Sequence, residues 1–238
     1  AQYKCSVYAT NLMEGWLDPP VEYDAMGDFT CYQYDFNVPT AYFTQQGSSA
    51  APKIYWLNVQ ANLRYFGTAV RFGWKTSASH WNDAATWVNA IEPYYGQWQK
   101  LIYPQGHPWQ EGNIDMAFRL NAGTVQQPTL RPKWSQPPVA CVPPRAYNGW
   151  NEKSVWGSEQ IVADDWVCTN KTPLTDIHWW GSFVGWTETN PPPVAPNAFM
   201  VSIWSDVPQG PNNPFSHPGI CLTNIFCGDV IPAFDGWD

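Results

Sequence analysis

The apolar residues of this chain fall in short runs, several of them alternating with polar residues, and Gly, Pro, Asn or Asp closes most runs. Such runs occupy residues 53–60, 70–74, 113–120, 160–167, 176–183, 198–205 and 219–226. A period of two puts successive side chains on opposite faces of a strand, so each run predicts a strand with one face toward a core. Patterns of helical period are nearly absent. The exception is residues 82–91, where Asn82 or Asp83 stands as a cap before a turn or two of helix that Pro93 would stop. Residues 121–133 lack periodicity, carry Gly123, Pro128 and Pro132, and read as a linker. The tracts Asn190-Pro-Pro-Pro-Val-Ala-Pro196 and Pro208-Gln-Gly-Pro-Asn-Asn-Pro214 read as stiff connecting loops, short of backbone donors.

Composition sharpens this into a rigid all-β object. The 238 residues include 16 Trp, 12 Tyr and 11 Phe, a large apolar payload, while 23 Pro and 17 Gly punctuate the chain and only 13% of residues are charged. The length suits one large sandwich or two small domains. A net charge of −8 argues against nucleic acid and against an anionic membrane surface as partners, since both call for a basic face. No apolar run is long enough to span a bilayer, so no membrane insertion is expected. The six cysteines, Cys5, Cys31, Cys141, Cys168, Cys221 and Cys227, include no CxxC pair. Their even number predicts disulfides and an oxidising compartment, with Cys141–Cys168 the favoured bridge and the remaining map open. The chain opens with Ala1-Gln2, as a mature exported protein does, so a secreted, extracellular or cell-surface location is expected. There Asn170-Lys171-Thr172 would be a glycosylation sequon.

Hydrolytic machinery is sparse. No Gly-x-Ser-x-Gly elbow is present, and Gly181-Ser182 lies inside a strand pattern. His80, His107, His178 and His217 are scattered without zinc-motif spacing, and His107 and His217 each precede a Pro, which alone accounts for extended backbone. A glycosidase needs two carboxyl groups across a sugar ring, for which Asp83, Asp115, Asp164, Asp165, Asp176 and Asp206 are candidates. No spacing defines such a pair, so no catalytic residue is assigned and no cofactor is expected. Asp164 and Asp165, leading into Trp166, are candidates to share a structural calcium; the alternative is that their carboxyls accept backbone N–H groups. Trp81, Trp87, Tyr94, Tyr95, Trp98, Trp109, Trp179 and Trp180 are candidates to stack on sugar rings. Trp179 and Trp180 are adjacent in a strand and must face opposite ways, so at least one belongs to a core or a subunit contact.

Longer motifs add a resemblance. Lys133-Trp-Ser-Gln-Pro-Pro138, Gln160-Ile-Val-Ala-Asp-Asp-Trp-Val-Cys168, Thr175-Asp-Ile-His-Trp-Trp-Gly-Ser-Phe183 and Val201-Ser-Ile-Trp-Ser-Asp-Val-Pro208 resemble the opening half of a secreted bacterial β-sandwich family, abundant in planctomycete-type sequences. Cys31-Tyr-Gln-Tyr-Asp-Phe36, Pro52-Lys-Ile-Tyr-Trp-Leu57, Phe72-Gly-Trp-Lys-Thr76, His80-Trp-Asn-Asp83 and Ile114-Asp-Met-Ala-Phe118 resemble its closing half. The resemblance implies an antiparallel, jelly-roll-like β-sandwich with its halves in inverted order: a closing half at 1–120, a linker at 121–133 and an opening half at 134–238. It implies no catalytic residue. Half a sandwich has an open edge and half a core, so each half needs completion, by the same chain permuted, by a longer protein, or by a neighbouring subunit. Head-to-tail exchange between subunits makes an open assembly. The leading expectation is therefore a non-enzymatic structural subunit of an extracellular filament or surface layer, with itself as partner. A secreted carbohydrate-binding or adhesive module, with polysaccharide as partner, comes second, and a glycoside-active enzyme third.

Overall fold

The alternating runs all become strands. A computed structural model describes residues 3–18, 22–39, 43–62, 71–89, 97–105, 107, 109, 112–123, 131–139, 150–155, 160–192, 196 and 198–228. In chain order the strands are β1 (Tyr3–Ala9), β2 (Glu14–Asp18), β3 (Glu22–Asp28), β4 (Cys31–Asn37), β5 (Lys53–Asn62), β6 (Phe72–Ser77), β7 (Thr86–Asn89) and β8 (Gln99–Lys100). There follow β9 (Asp115–Met116), β10 (Phe118–Ala122), β11 (Arg131–Gln136), β12 (Trp150–Lys153), β13 (Gln160–Cys168), β14 (Leu174–Phe183), β15 (Ala198–Val207) and β16 (His217–Gly228). No helix occurs among the described residues. The described part of the helical turn expected at 82–91, residues 82–89, is instead a bend leading into β7. Asn82 takes a left-handed backbone (φ 57°), which Asn tolerates, and the β-branched and aromatic Thr86-Trp87-Val88 then pairs with β13.

Two sheets face each other. The larger has ten strands along the path β1-β4-β14-β6-β12-β2-β3, with β10 and β11 joined beside β14 and β9 beside β6; the smaller runs β16-β15-β5-β13-β7-β8. Among the described residues the strands pair antiparallel except β12 with β2, and an isolated bridge from Ala61 of β5 to Val155 is also parallel. Strands from before and after residues 121–133 interleave in both sheets: β14 lies between β4 and β6, and β5 lies between β13 and β15. The two segments thus share one core within the chain. Part of the expected linker is itself strand, since Asn121 pairs with Pro132 and Ala122 with Arg131 across the β10–β11 hairpin.

Alternation decides what reaches that core. On β14, Ile177, Trp179 and Phe183 point inward; Trp179 stacks on Tyr34 (centroids 5.5 Å, 6° between planes). Phe199 of the facing sheet meets Tyr34, Trp179 and Phe72 edge-on at 4.8, 5.1 and 5.2 Å. Each such ring contributes about 1.5–3 kcal/mol through burial. Gly181 makes room for this cluster, because a Cβ there would lie 2.4 Å from the Phe72 ring. On the opposite face of the larger sheet lies a buried polar cluster. Lys75 is ion-paired to Glu14, Asn151 Nδ2 donates to Asp28 Oδ2, and all four residues are buried.

The disulfide expectation is overturned for the described residues: Cys5, Cys31, Cys168, Cys221 and Cys227 are free thiols. Strand register rules out two of the pairings. A disulfide needs Cα atoms within about 7 Å. Cys221 and Cys227 are six positions apart on β16, about 20 Å at strand rise. Cys31 opposes Ala9, four positions from Cys5 on β1, about 13 Å away. Cys168, of the favoured bridge, instead donates its Sγ–H toward Gln45 Oε1 (3.3 Å) and Asn170 O (3.0 Å). Cys141, the other half of the favoured bridge, lies outside the described residues.

Candidate functional site

A cleft of about 260 Å³ opens where β6 and β9 end together, Ser77 opposite Asp115. The chain leaves β6 in a tight turn held by Ser77, whose Oγ donates to Pro137 O (2.6 Å) and accepts from Ser79 N (3.1 Å). That turn brings His80 over Asp115. His80 Nδ1 lies 2.8 Å from Asp115 Oδ2, which also accepts the Trp81 backbone N–H at 2.9 Å. Asn113 Nδ2 lies 3.1 Å from His80 Nε2. With the amide donating there, the imidazole carries its proton on Nδ1 and gives it to Asp115. Burial pushes the Asp115 carboxyl up to about 6, against the pull of His80 and the Trp81 N–H.

The opposite wall is aromatic. Tyr103 stacks on His107 (4.3 Å, 11°) and meets Trp109 edge-on at 5.5 Å. Gly112 N donates to Trp109 O (2.9 Å) and Tyr103 N to Gly112 O (3.0 Å), a turn that fixes Trp109 at the mouth. Any Cβ at Gly112 would sit 2.8 Å from Trp109 O. Trp109 remains 42% exposed, an indole held by its neighbours yet open to solvent. Burial lowers His107 to about 4, so this ring is neutral at pH 7.

The other aromatic candidates separate clearly. Trp179 is in the core, and Trp180, on the other face as adjacency requires, is buried beside Leu12, Cys31 and Ala117 and edge-on to Tyr8. Trp81 is half-buried against Trp134 (5.0 Å), and Trp87 packs on the main core. Trp98 is half-buried, edge-on to Trp204 at 6.1 Å. Tyr94 and Tyr95 lie outside the described residues. Asn170 is exposed and its Oδ1 accepts Thr172 N–H at 3.1 Å.

Asp164 and Asp165, the calcium candidates, part company on the strand. Adjacent on β13, they point to opposite faces. Asp164 turns to the core side, where it accepts from Met116 N (2.7 Å) and Gln136 Nε2 (3.2 Å) and so ties the two sheets together. Asp165 turns outward and accepts from Asn82 Nδ2 at 2.6 Å. Burial pushes both carboxyls up, Asp164 well above the carboxylate range with Asp115 and Asp165 adding to the effect, and Asp165 to about 8 against the Asn82 hydrogen bond. Among the described residues no group of three or more metal-ligating side chains converges. The amino-acid pattern singles out Trp109 and Asp115 separately. It misses their joining through Tyr103, Asn113 and His80, because nothing in a one-dimensional pattern pairs His80 with a residue 35 positions on.

The sequence profile of a family described as Domain of unknown function (DUF7901) matches residues 1–121 and 132–232. The chain belongs to this family. The break between the two matched stretches falls in the connection from β10 to β11. No curated protein and no solved structure matches the chain.

Proposed function

We propose that this protein is a carbohydrate-binding or adhesive module that works at the cell surface or outside the cell. The observation that carries the reading is Trp109. A sugar ring offers a C–H face for an indole and a ring of hydroxyls for hydrogen bonds, and the cleft sets Asn113, His80 and Asp115 beside a half-exposed indole. Asp115 is the one acid among the described residues that line this cleft, whereas glycoside hydrolysis generally uses two, so the reading is of binding without turnover. Trp109→Ala is expected to weaken retardation in polysaccharide affinity gels by about tenfold, with an unchanged thermal melt. Unaltered retardation of this variant, or release of reducing sugar by the wild type, would remove the reading.

Self-assembly into a filament or surface layer is a second reading, favoured by β16. This twelve-residue strand ends its sheet, carries no Asp, Glu, Lys or Arg, and exposes Ile220 (74%), Leu222 and Phe226. Long uncharged apolar edges are what monomeric β-proteins avoid. Because the chain fills both halves of its own core, assembly here would proceed by edge contact or by exchange of equivalent strands. Light scattering coupled to size exclusion should show oligomers that Leu222→Lys dissolves; a monomer at every concentration would end this reading.

A further inference from the structure

We propose that the cleft between β8 and the 208–216 loop is a second saccharide subsite, one that takes uncharged sugar units. This rests on the polysaccharide-binding reading above and names its ligand class. The cleft encloses about 490 Å³. Trp98 and Phe215 supply its aromatic surface, with His217 edge-on to Phe215 at 6.1 Å, and the carboxamides of Gln97, Asn212 and Asn213 border it. A carboxamide offers both an acceptor oxygen and a donor nitrogen, which matches a hydroxyl that both gives and takes a hydrogen bond. None of the described residues lining the cleft is Asp, Glu, Lys or Arg. A uronate or an amino sugar would therefore lose its hydration there without gaining a counter-charge, and a neutral sugar would not.

The loop is built before any ligand arrives. Gly210 N donates to Asn213 O (2.9 Å) and Asn213 N to Gly210 O (3.1 Å), closing a tight turn. Gln209 Nε2 donates to Pro214 O (3.0 Å), and Ser216 Oγ donates to Asp83 Oδ2 (2.5 Å), anchoring the loop to the segment before β7. Pro208, Pro211 and Pro214 each fix a backbone angle. Trp98 is held from behind by Trp204. All of this leaves the Asn212 and Asn213 side chains presented on a stiff frame, so little ordering entropy is lost on binding. The same prolines that make the segment a connecting loop make it a preorganised one.

The test is affinity electrophoresis of the intact protein in gels containing a soluble glucan, mannan or xylan, and in parallel gels containing alginate, polygalacturonate or chitosan. Retardation is expected in at least one neutral gel, weakened about tenfold by Trp98→Ala and by the paired change Asn212→Ala with Asn213→Ala. The Asn pair lies on an exposed loop and keeps the test meaningful if Trp98→Ala fails to fold. Full retardation of a folded Asn212→Ala/Asn213→Ala protein overturns the subsite, as does retardation confined to the charged polymers or absent from every gel. If Trp109→Ala alone abolishes binding, the first cleft stands and this one falls. If only the Asn pair matters, this cleft stands without the other.

Discussion

Lys75→Met is expected to destabilise the protein by about 3–5 kcal/mol, the cost of leaving a buried charge without its partner. Lys75 and Glu14 are both buried and ion-paired. Burial works to lower the lysine's pKa, yet Glu14, with Cys31 and Asp28, outweighs it and holds the pKa above its ordinary value. Asp28 beside them is pushed well up by burial and by Glu14, so Glu14 is the ion-pair partner of Lys75. Removing the cation strands Glu14. The double variant Lys75→Met/Glu14→Leu should recover most of the loss, because two apolar groups of similar volume replace the pair. Urea unfolding of the four members of the cycle checks this. A single-variant loss under about 1 kcal/mol would show that water reaches the pair.

The second large effect is an inverted dependence on pH. Most carboxyls that matter for stability are held down in the folded state; here Asp115 is raised to about 6, Asp165 to about 8, and Asp28 and Asp164 well above the carboxylate range. For a raised group the folded state binds the proton more tightly than the unfolded one. Its contribution is complete below the unfolded value near 4 and is lost as pH rises through the folded value. His107 acts at the other end: lowered to about 4 by burial, it contributes above its unfolded value and loses that contribution as pH falls through about 4. Thermal melts should therefore be highest near pH 4, where the unfolded carboxyls begin to ionise, and fall as pH rises from there to about 8. The fall sums to several kcal/mol, because a tenfold difference in proton affinity between the folded and unfolded chain is worth about 1.4 kcal/mol. Asp165→Asn keeps an acceptor oxygen for Asn82 and should flatten the upper part of the curve. A melting temperature that climbs steadily to pH 8 would contradict the burial of these carboxyls.

Much of this architecture is legible in the chain because strand alternation survives wherever one face meets an apolar core. The runs at 53–60, 160–167, 176–183 and 198–205 become the long central strands β5, β13, β14 and β15. The strands hidden from such a pattern are those with charge where a core expects none. Strand β2, Glu14-Gly-Trp-Leu-Asp18, and strand β12, Trp150-Asn-Glu-Lys153, supply Glu14 and Asn151 of the buried polar cluster, and by residue type alone the buried Glu14, Glu152 and Lys153 belong in solvent. The helical turn expected at 82–91 fails for a related reason: Asn82 has the chemistry of a cap, but its side chain reaches across to Asp165. The disulfide expectation rests on a count of cysteines, and a count carries no register. At the candidate site Trp109 is one aromatic among many in the chain. What distinguishes it from Trp179 is exposure, which only the folded chain defines.

The interleaving of strands has a consequence for how the chain is made. On a ribosome the first segment emerges with β4, β5 and β6 complete, but the neighbours that flank β5 are β13 and β15, and β14 must slot between β4 and β6. The central ladders of neither sheet can close until most of the remaining chain is synthesised, roughly ten seconds later at ordinary rates of translation. Closing such distant pairings is slow, and the waiting strands are apolar and unpaired in the meantime. Until then the first half holds the unfinished faces of both sheets, so a stalled or truncated chain is expected to aggregate where the full-length chain folds.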